Sequence, residues 1–378
     1  MKIIIAPDSF KESLSAKSVA NAIEKGLKKV LNGANFVKVP MADGGEGTTE
    51  ALVDATNGTI YHPEVLNPLG KKIKGKLGIL GSGDTAVIEM ASASGLELIS
   101  VEERNPLITT TYGTGQLIKA ALDMGVKNII IGIGGSATID GGAGMIHALG
   151  GKLLDSTGKE IGFGGGALKE LSKIDLTNLD NRLKDVNIEV ACDVDIPLTG
   201  ENGAAHIFGP QKGATPDMIL TLDNNLKHYA DVIRKQLNKD IEHLPGSGAA
   251  GGLGAGLVAF LNAKLSRGID IVIKYTNLEK LIVDADLVFT GEGSIDSQTK
   301  YGKVPYGVSI TAKKYNVPVI VIAGNVSGDV ETLYEYGFSA FFSITQGVCS
   351  LEEALRDAAF NIERTSENIG RIIRLFRK

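Results

Sequence analysis

The sequence predicts an α/β protein of two domains, in which a discontinuous Rossmann-like domain with a parallel sheet carries an inserted mixed α/β domain. Three observations support this class. Near both ends of the 378 residues, short β-rich runs alternate with helically spaced segments, as in parallel sheets with crossover helices. The two ends resemble each other more than either resembles the middle. Glycine, with 48 residues, exceeds its usual share of about 7% and falls mainly in loops.

The predicted domain boundaries follow from this distribution of β-rich runs and helically spaced segments along the chain. Residues 1–65 and 245–378 are predicted to form the Rossmann-like domain, and residues 66–244 the inserted domain. In open α/β sheets, ligands bind at the carboxyl ends of the strands. We therefore expect the active site in the cleft between the two domains.

Hydrophobic periodicity predicts the individual elements. A first helix is predicted over residues 15–30 with Ser15 as its N-cap, and a closing helix over 352–376 that Gly370 could interrupt. The other predicted helices cover residues 49–55, 114–123 and 217–237, and one more follows the glycine-rich run that begins at 245. The predicted strands are residues 2–5, 36–39, 59–65, 75–80, 85–90, 128–133, 188–192, 286–290, 317–323 and 341–344, with 75–80 and 85–90 antiparallel across a GSGD turn.

Composition argues against several classes of protein. Lys and Arg total 39 against 44 Asp and Glu, a net charge of −5 that disfavours a dedicated nucleic-acid binder. Cys192 and Cys349 are too far apart to suggest a metal or redox motif. The N-terminus reaches Pro7 too soon for a signal peptide, and no run approaches the roughly 18 apolar residues of a membrane span. We predict a soluble cytoplasmic protein without nucleic-acid or membrane partners.

Carboxylates beside glycines follow most of the strand-like runs. Glycine lets backbone N–H groups approach an anion, whereas carboxylates repel phosphate unless a cation such as Mg²⁺ lies between them. Loops with both features suggest a metal-bound nucleoside phosphate. These residues are Asp8 in APDSFK, Asp43 and Glu46 in ADGGEGT, Asp140 in GGSATIDGG, Asp193 and Asp195 in ACDVD, and Glu292 and Asp296 in GEGSID.

Familiar nucleotide motifs leave two alternatives open. No Gly-Lys pair is followed by Ser or Thr, so a Walker A loop is absent, as are the protein-kinase signatures. The spacing from Gly132 through Gly134 to Ala137 matches the dinucleotide fingerprint, although residues 138–142 interrupt the helix that it requires. One alternative is therefore an NAD-dependent dehydrogenase of a small hydroxy acid. The other is a non-catalytic protein that binds a nucleotide or metabolite.

Longer stretches of the sequence resemble the bacterial glycerate kinase family, class I, of the glycerate 2-kinase type. The resemblance implies ATP-dependent, Mg²⁺-dependent phosphorylation of D-glycerate, with 2-phosphoglycerate favoured over 3-phosphoglycerate as product. It implies glycerate and ATP as small-molecule partners. The sequence leaves the oligomeric state open, with a homo-oligomer as one possibility. The segments that carry it are APDSFKESLSA at 6–16, MADGGEGT at 41–48, GTG at 113–115, GIGGSATIDGGAGM at 132–145, ACDVDIPLTGENGAA at 191–205, FGPQKGA at 208–214, PGSGAAGGLG at 245–254 and GEGSIDSQTKYGKVP at 291–305.

Phosphoryl transfer requires positioning and charge neutralisation more than covalent chemistry. We expect Asp193, Lys11 and Asp8 to be catalytic, with Asp193 orienting or accepting the hydroxyl proton of glycerate. Lysines near the loops are Lys11, Lys212, Lys300 and Lys303. The candidates for substrate binding are Ser9, Lys11 and Lys300; those for cradling ATP phosphates are Gly134, Gly135, Ser136, Thr138, Gly291 and Gly293; and those for holding Mg²⁺ are Asp43, Glu46, Glu292 and Asp296.

Overall fold

The computed structural model describes residues 1–376 of the chain. The strands, in chain order, are β1 (Lys2–Ile5), β2 (Asn35–Lys38), β3 (Thr59–Tyr61), β4 (Glu64–Leu66), β5 (Lys72–Lys74), β6 (Leu77–Ile79), β7 (Thr85–Glu89), β8 (Asn128–Gly132), β9 (Lys152–Leu154), β10 (Lys173–Asp175), β11 (Asn187–Ala191), β12 (Lys264–Ser266), β13 (Leu287–Ile295), β14 (Val319–Val326) and β15 (Phe338–Ser343). The helices are α1 (Ala16–Lys28), α2 (Thr48–Thr56), α3 (Ala91–Ser94), α4 (Tyr112–Asp123), α5 (Ala143–Ala148), α6 (Ala204–Phe208), α7 (Pro216–Leu237), α8 (Ala249–Leu261), α9 (Gly268–Tyr275), α10 (Leu278–Ile282), α11 (Val304–Lys313), α12 (Leu351–Arg356) and α13 (Ala358–Leu375). The predicted α/β class is confirmed.

The chain forms two compact units. The first unit comprises residues 1–43 and 50–57 together with the described residues from Ile269 onward, and the second comprises 44–49 and 58–268. Each unit has its own hydrophobic core. Among the described helices, none has both the length and the apolar character needed to cross a membrane.

The sheet of the first unit contains five strands in the order β2-β1-β13-β14-β15, and every neighbouring pair is parallel. Counted within this unit, the order is 2-1-3-4-5, the doubly wound arrangement in which the direction of winding reverses between the first and third strands. That reversal lies between β1 and β13, where ligands bind in sheets of this type. Ile3, Ile4 and Ile5 of β1 are fully buried, as expected for a strand covered on both faces.

Helices α1 and α13 pack closely over the first unit's sheet. Ser15 caps α1 by accepting a hydrogen bond from the N–H of Ser18 at 3.2 Å, which confirms the predicted cap. A Cβ atom on Gly26 of α1 would overlap the carbonyl oxygen of Glu363, and one on Gly370 of α13 would lie 2.6 Å from Val30. Small residues therefore permit the close approach of the two helices.

The predicted break near Gly370 is wrong. Gly370 lies inside α13, and the interruption falls at Asp357, between α12 and α13. A glycine inside a helical pattern can mark a break or a close contact between helices, and the pattern alone does not distinguish them. Here the contact with α1 accounts for the glycine.

The second unit has a mixed six-stranded sheet in the order β12-β11-β8-β7-β6-β3. The strands from β12 to β7 are parallel, whereas β6 pairs antiparallel with both β7 and β3. The predicted antiparallel pair across residues 81–84 is thus confirmed. The single strand predicted over 59–65 is instead two strands, because β3 joins this sheet while β4 pairs with β5 after His62 and Pro63. Proline cannot donate to a ladder, which suits a break between strands.

The predicted domain boundaries need correction at three segments, residues 44–49, 58–65 and 245–268, which belong to the second unit. The sequence pattern places β3 in the first domain, yet it pairs with β6 of the second unit. The same pattern places residues 245–268 in the first domain, yet β12 pairs with β11, and α8 contributes to the second unit's core. Strand partners depend on long-range pairing, which the alternation of strands and helices does not reveal.

Replacing Gly26 with Ala should destabilise the first unit. The added methyl group would force α1 and α13 apart, and overpacking of this kind costs typically about 1–3 kcal/mol, more than the roughly 1 kcal/mol that Ala gains over Gly in a helix. Urea unfolding followed by circular dichroism would measure the loss. The matched control is Gly33→Ala, because Gly33 is exposed and an added Cβ there would meet nothing within 4 Å. Equal stabilities for the two variants would contradict the packing argument.

Candidate active site

Three carboxylates from separate parts of the chain meet in the first unit. Asp8 follows β1, Glu292 lies in β13, and Asp43 follows β2. The N–H of Asp8 donates to the carbonyl oxygen of Gly291 at 2.8 Å, which continues the pairing of β1 with β13. Asp43 and Glu292 each perturb the titration of Asp8 electrostatically. The three side chains therefore form a cluster beside the point where the sheet's winding reverses.

Burial and mutual repulsion dominate the electrostatics of this carboxylate cluster. The pKa of Asp8 rises to about 7, first because the group is buried and then because of the negative charge of Asp43. The N–H of Ser9, which donates to Asp8 Oδ1 at 2.6 Å, and the charge of Lys11 oppose this rise. The cluster therefore favours a bound proton or a bound cation.

Glu292 is 8% exposed and has a raised pKa of about 7, chiefly through burial. Lys303 opposes the rise, since its Nζ lies 3.2 Å from Glu292 Oε1. The hydroxyl of Thr299 also donates to this oxygen at 3.4 Å. The sequence pattern places Lys303 among the lysines near the loops but does not distinguish it as a site residue.

Of the two neighbouring candidates, Asp296 lies near Glu292, because its charge raises the pKa of Glu292 and its Oδ1 is 3.8 Å from Lys303 Nζ, whereas Lys300 has a different contact. Asp296 caps the 3-10 helix Ser297–Tyr301 by accepting from the N–H of Gln298 at 2.9 Å. Lys300 places its Nζ 5.4 Å from the ring centroid of Tyr301. In the described structure, Lys303 and not Lys300 is the lysine that pairs with Glu292.

A tight turn carries Lys11. Phe10 and Leu14 exchange two backbone hydrogen bonds of 2.8 Å, and Glu12 adopts a left-handed conformation with φ of 64°. A non-glycine residue in that region stores strain, which is common at ligand sites. Lys11 is exposed at the tip of the turn, and its positive charge acts on Asp8.

The two candidate glycines in β13 differ in accessibility. Gly291 is buried, and a Cβ atom there would overlap the carbonyl oxygen of Ile322 in β14, so its small size serves the packing of the strands. Gly293 is half-buried, and a Cβ there would approach nothing closer than 3.9 Å, the distance to the backbone of Phe10 and Lys11. Only Gly293 of this pair therefore presents open backbone.

In the second unit, the loop after β8 presents two exposed glycines, Gly134 and Gly135. Within the described chain, neither of their N–H groups donates a hydrogen bond, and Gly135 has a left-handed φ of 72°. The Gly135 carbonyl accepts from Leu96 N–H at 2.9 Å, which fixes the turn. Exposed amides held in this way suit an anion, as the sequence predicts for ATP phosphates.

Ser136 and Thr138, the other phosphate-binding candidates of this loop, are buried and face a lysine. Lys212 is 1% exposed, and its Nζ donates to Ser136 Oγ at 2.6 Å and to the Thr138 carbonyl at 2.8 Å. Burial lowers the pKa of Lys212 to about 7, while the charge of Asp140 opposes that shift. Ser136 and Thr138 therefore support the loop from inside and do not share the exposed surface of Gly134 and Gly135.

Asp140 is another internal support of this loop. Its carboxylate is fully buried and accepts hydrogen bonds from Thr111 N–H and Oγ1 and from the N–H groups of Gly142 and Gly144, at 2.8 to 3.2 Å. Burial raises its pKa, and these hydrogen bonds lower it. Asp140 thus orders backbone in the second unit, although the sequence analysis groups it with Asp8 among the loop carboxylates.

The remaining candidates, Asp193 and Glu46, are exposed residues of the second unit. Asp193 Oδ1 accepts from the N–H of Gly268 at 3.0 Å.

Glu89 is a buried carboxylate that the sequence analysis does not include among the candidates. It ends β7, is 8% exposed and accepts from Thr49 N–H at 2.7 Å. Its position at the end of β7 is the sequence feature that would have placed it among the candidate residues. Among residues 1–376, no three His, Cys, Asp or Glu side chains close on one metal position.

Comparison with known proteins identifies the family. The model of the glycerate kinase family matches residues 3–374. The chain belongs to the glycerate kinase family. It is 58% identical over 375 residues to a glycerate kinase of Bacillus subtilis (strain 168), covering 99% of this chain and 98% of that protein. It is also 58% identical over 369 residues to the glycerate 2-kinase of Escherichia coli (strain K12), covering 98% and 97%.

A solved structure agrees with this family assignment. A crystal structure assigned as glycerate kinase 2 from Salmonella typhimurium LT2 superimposes with a TM-score of 0.92 at 52% identity, over 99% of this chain and 98% of that one. The predicted resemblance to the glycerate kinase family is confirmed. The fingerprint at Gly132–Ala137 lacks the context of a dinucleotide site, because α5 begins only at Ala143.

Lys212→Met should change how the stability of this glycerate kinase family member depends on pH. The folded pKa of Lys212 is about 7, below its ordinary 10.5, so between these values the unfolded chain holds the extra proton. The free energy of unfolding should therefore gain up to about 1.4 kcal/mol per pH unit from this group as pH rises above 7. Urea unfolding at pH 7, 8 and 9 would show the wild-type advantage over Lys212→Met growing with pH.

The matched control is Lys227→Met, because Lys227 is an exposed lysine of α7 in the same unit. Its stability curve should run parallel to that of the wild type. A Lys212→Met curve that also runs parallel would contradict a buried lysine with a lowered pKa.

Proposed function

We propose that the chain is an ATP-dependent kinase that phosphorylates the 2-hydroxyl of D-glycerate. Membership of the glycerate kinase family makes the chain a kinase. The name of the E. coli relative, glycerate 2-kinase, supports the regiochemistry. The structural observation that carries the proposal is the carboxylate cluster of Asp8, Asp43 and Glu292 beside Lys11, at the ligand-binding edge of a doubly wound sheet.

The residues of the cluster fit Mg²⁺. Magnesium prefers oxygen ligands and is usually bound by one or two carboxylates together with substrate phosphates and water, so a complete protein cage is not required. Burial raises the pKa values of Asp8 and Glu292, and the charge of Asp43 adds to the rise at Asp8, so a bound cation would favour the ionised carboxylates. We assign Asp43 and Glu292 as the carboxylates that would hold the ion. When bound, Mg²⁺ would neutralise charge on the transferring phosphoryl group.

Asp8 is the best-placed proton acceptor in the first unit. A general base is most effective when its pKa lies near the operating pH, and that of Asp8 is about 7. A nearby cation would lower this pKa and keep Asp8 ionised at neutral pH. The sequence also nominates Asp193, which is exposed and oriented by the N–H of Gly268. Variants of Asp8 and Asp193 would distinguish which of the two carboxylates accepts the proton.

The cationic and N–H groups would neutralise and orient the anionic substrates. Lys11 is exposed beside Asp8, so its ammonium group is available to the carboxylate of glycerate or to the phosphoryl group in transfer. Ser9 follows Asp8 and holds that carboxylate through its own N–H. The free N–H groups of Gly134 and Gly135 are proposed to bind phosphate oxygens.

Incubation with Mg-ATP and D-glycerate followed by phosphorus NMR tests the activity and its product. We expect ADP and the phosphomonoester resonance of 2-phosphoglycerate, assigned by adding the authentic compound. A resonance of 3-phosphoglycerate would correct the position of transfer. Release of ADP without a glycerate ester, or no turnover of ATP, would show that the proposed reaction is wrong.

Asp8→Asn should lower kcat by about 10²–10⁴-fold, the usual contribution of a positioned general base. Asp193→Asn should have a smaller effect if Asp8 accepts the proton. Steady-state kinetics with ADP release coupled to NADH oxidation, measured from pH 6 to 9, would compare them. If Asp193→Asn shows the larger decrease in kcat while Asp8→Asn remains active, Asp193 and not Asp8 is the general base.

Mg²⁺ should stabilise the protein more at pH 8 than at pH 5.5. The folded pKa of Glu292 is about 7, above its ordinary 4.5, so without the ion the stability from this group falls as pH rises between these values. Protons compete with the ion for the same oxygens, so binding strengthens as they leave. Thermal unfolding with and without Mg²⁺ at both pH values would measure the difference in Tm.

Glu292→Gln should reduce the Mg²⁺-dependent rise in Tm at pH 8. The matched control is Glu331→Gln, since Glu331 is an exposed glutamate of the same unit. It should keep the wild-type response. An unchanged response in Glu292→Gln would remove Glu292 from the metal site.

A further inference from the structure

A cavity of about 300 Å³ opens in the first unit beside Lys11 and Gly293. It lies at the carboxyl end of the parallel sheet, where Asn325 of β14 and Ile344, just after β15, contribute to its wall. Residues of α12 and the first turn of α13 complete it. Apart from Lys11 and Gly293, none of its lining residues belongs to the site predicted from sequence.

We propose that this cavity binds the purine nucleoside portion of the nucleotide that donates the phosphoryl group. The proposal rests on the proposed kinase function. A cavity of about 300 Å³ is at the lower end of sites that enclose drug-sized ligands, which suits a base with its ribose. A three-carbon acid would leave most of this volume unfilled.

The walls offer the apolar surface that a planar base requires. Phe10 and Ile344 line the cavity and are each only 4% exposed, so they are held firmly by the core of the first unit. Leu355 of α12 adds a half-buried aliphatic side chain. Ligand pockets of this kind combine mostly apolar walls with a few polar groups that fix orientation.

Two asparagines supply those polar groups. Asn361 of α13 is half-buried, and its side chain makes no hydrogen bond within the described chain. Asn325 donates one bond, from Nδ2 to Ser294 Oγ at 3.3 Å, which leaves its amide oxygen as an acceptor. A carboxamide presents an adjacent donor and acceptor, the pattern that pairs with N6 and N7 of adenine.

The position of the cavity sets the direction of a bound nucleotide. Gly293 and Lys11 both line it, and they lie next to each other, since a Cβ atom on Gly293 would be 3.9 Å from the backbone N of Lys11. A base in the cavity would therefore place its phosphates beside Lys11, whose charge acts on Asp8. A Cβ atom added to Gly293 would approach nothing closer than 3.9 Å, so open space is present along this path.

The cavity walls are fixed by hydrogen bonds independent of any ligand. The hydroxyl of Ser13 donates to the carbonyl of Leu355 at 2.6 Å, which ties the Lys11 turn to α12. The hydroxyl of Thr345 donates to the carbonyl of Gly324 at 3.0 Å, which ties the segment after β15 to β14. A preformed cavity loses less conformational entropy on binding than one that must be assembled.

Calorimetric titration of the full chain with ADP and with inorganic tripolyphosphate tests the proposal. Asn361→Leu removes the carboxamide at similar volume and should weaken ADP binding about tenfold, the equivalent of about 1.4 kcal/mol. Tripolyphosphate has no base, so its affinity should stay unchanged. The matched control is Asn368→Leu, an exposed asparagine of the same helix, which should bind both probes as the wild type does.

Kinetics separate this cavity from a site for glycerate. Asn361→Leu should raise the KM for ATP about tenfold and leave kcat and the KM for glycerate unchanged. Unchanged ADP affinity, equal weakening of ADP and tripolyphosphate, or a rise in the KM for glycerate instead would overturn the proposal. If Asn361→Leu unfolds, Ala354→Phe, which fills the cavity from α12, should produce the same losses.

Failure of the proposed function would look different. If the affinity for ADP depended on Asn361 while no glycerate was phosphorylated, the assignment of the cavity would be supported and the assignment of glycerate as substrate would be wrong. If glycerate was phosphorylated and the affinity for ADP was unchanged in both cavity variants, the proposed kinase activity would be supported and the cavity assignment would be wrong.

Discussion

The pairing of β1 with β13 is the constraint on which the candidate site depends. Ile3, Ile4 and Ile5 lie beside Leu287, Val288 and Phe289, although most of the chain separates them. Burial of these apolar side chains holds the two strands in register. Because the strands are parallel, their carboxyl ends lie at the same edge and bring Asp8 and Glu292 together.

The carboxylate cluster opposes folding in the absence of a ligand. Asp8 and Glu292 are buried, and Asp8 also experiences the negative charge of Asp43, so ionising them costs free energy that the surrounding core must offset. Natural proteins tolerate such local conflicts at functional sites, where the same groups gain favourable interactions on binding. Positive groups offset part of this cost, since Lys303 Nζ lies 3.2 Å from Glu292 Oε1 and the charge of Lys11 acts on Asp8.

The second unit uses similar sequence patterns for a different purpose. Asp140 and Lys212 are buried beneath the loop after β8, where they bind its backbone and side chains. Gly134 and Gly135 of the same loop face solvent with free N–H groups. The buried polar groups order a turn whose outer surface can bind an anion. A carboxylate beside glycines can therefore serve as the internal support of a loop, as Asp140 does here.

The sequence alone determined the α/β class, most of the strands and helices, the glycine-rich loops and, through its longer motifs, the family. Those properties depend on local periodicity and on contiguous residues. Only the tertiary structure decided that β3 and β12 join the second sheet, that Gly370 serves a contact between helices, and that Lys303 pairs with Glu292. It also separated buried Thr138 and Asp140 from exposed Gly134, because burial and pairing arise from long-range packing that neighbouring residues in the sequence do not encode.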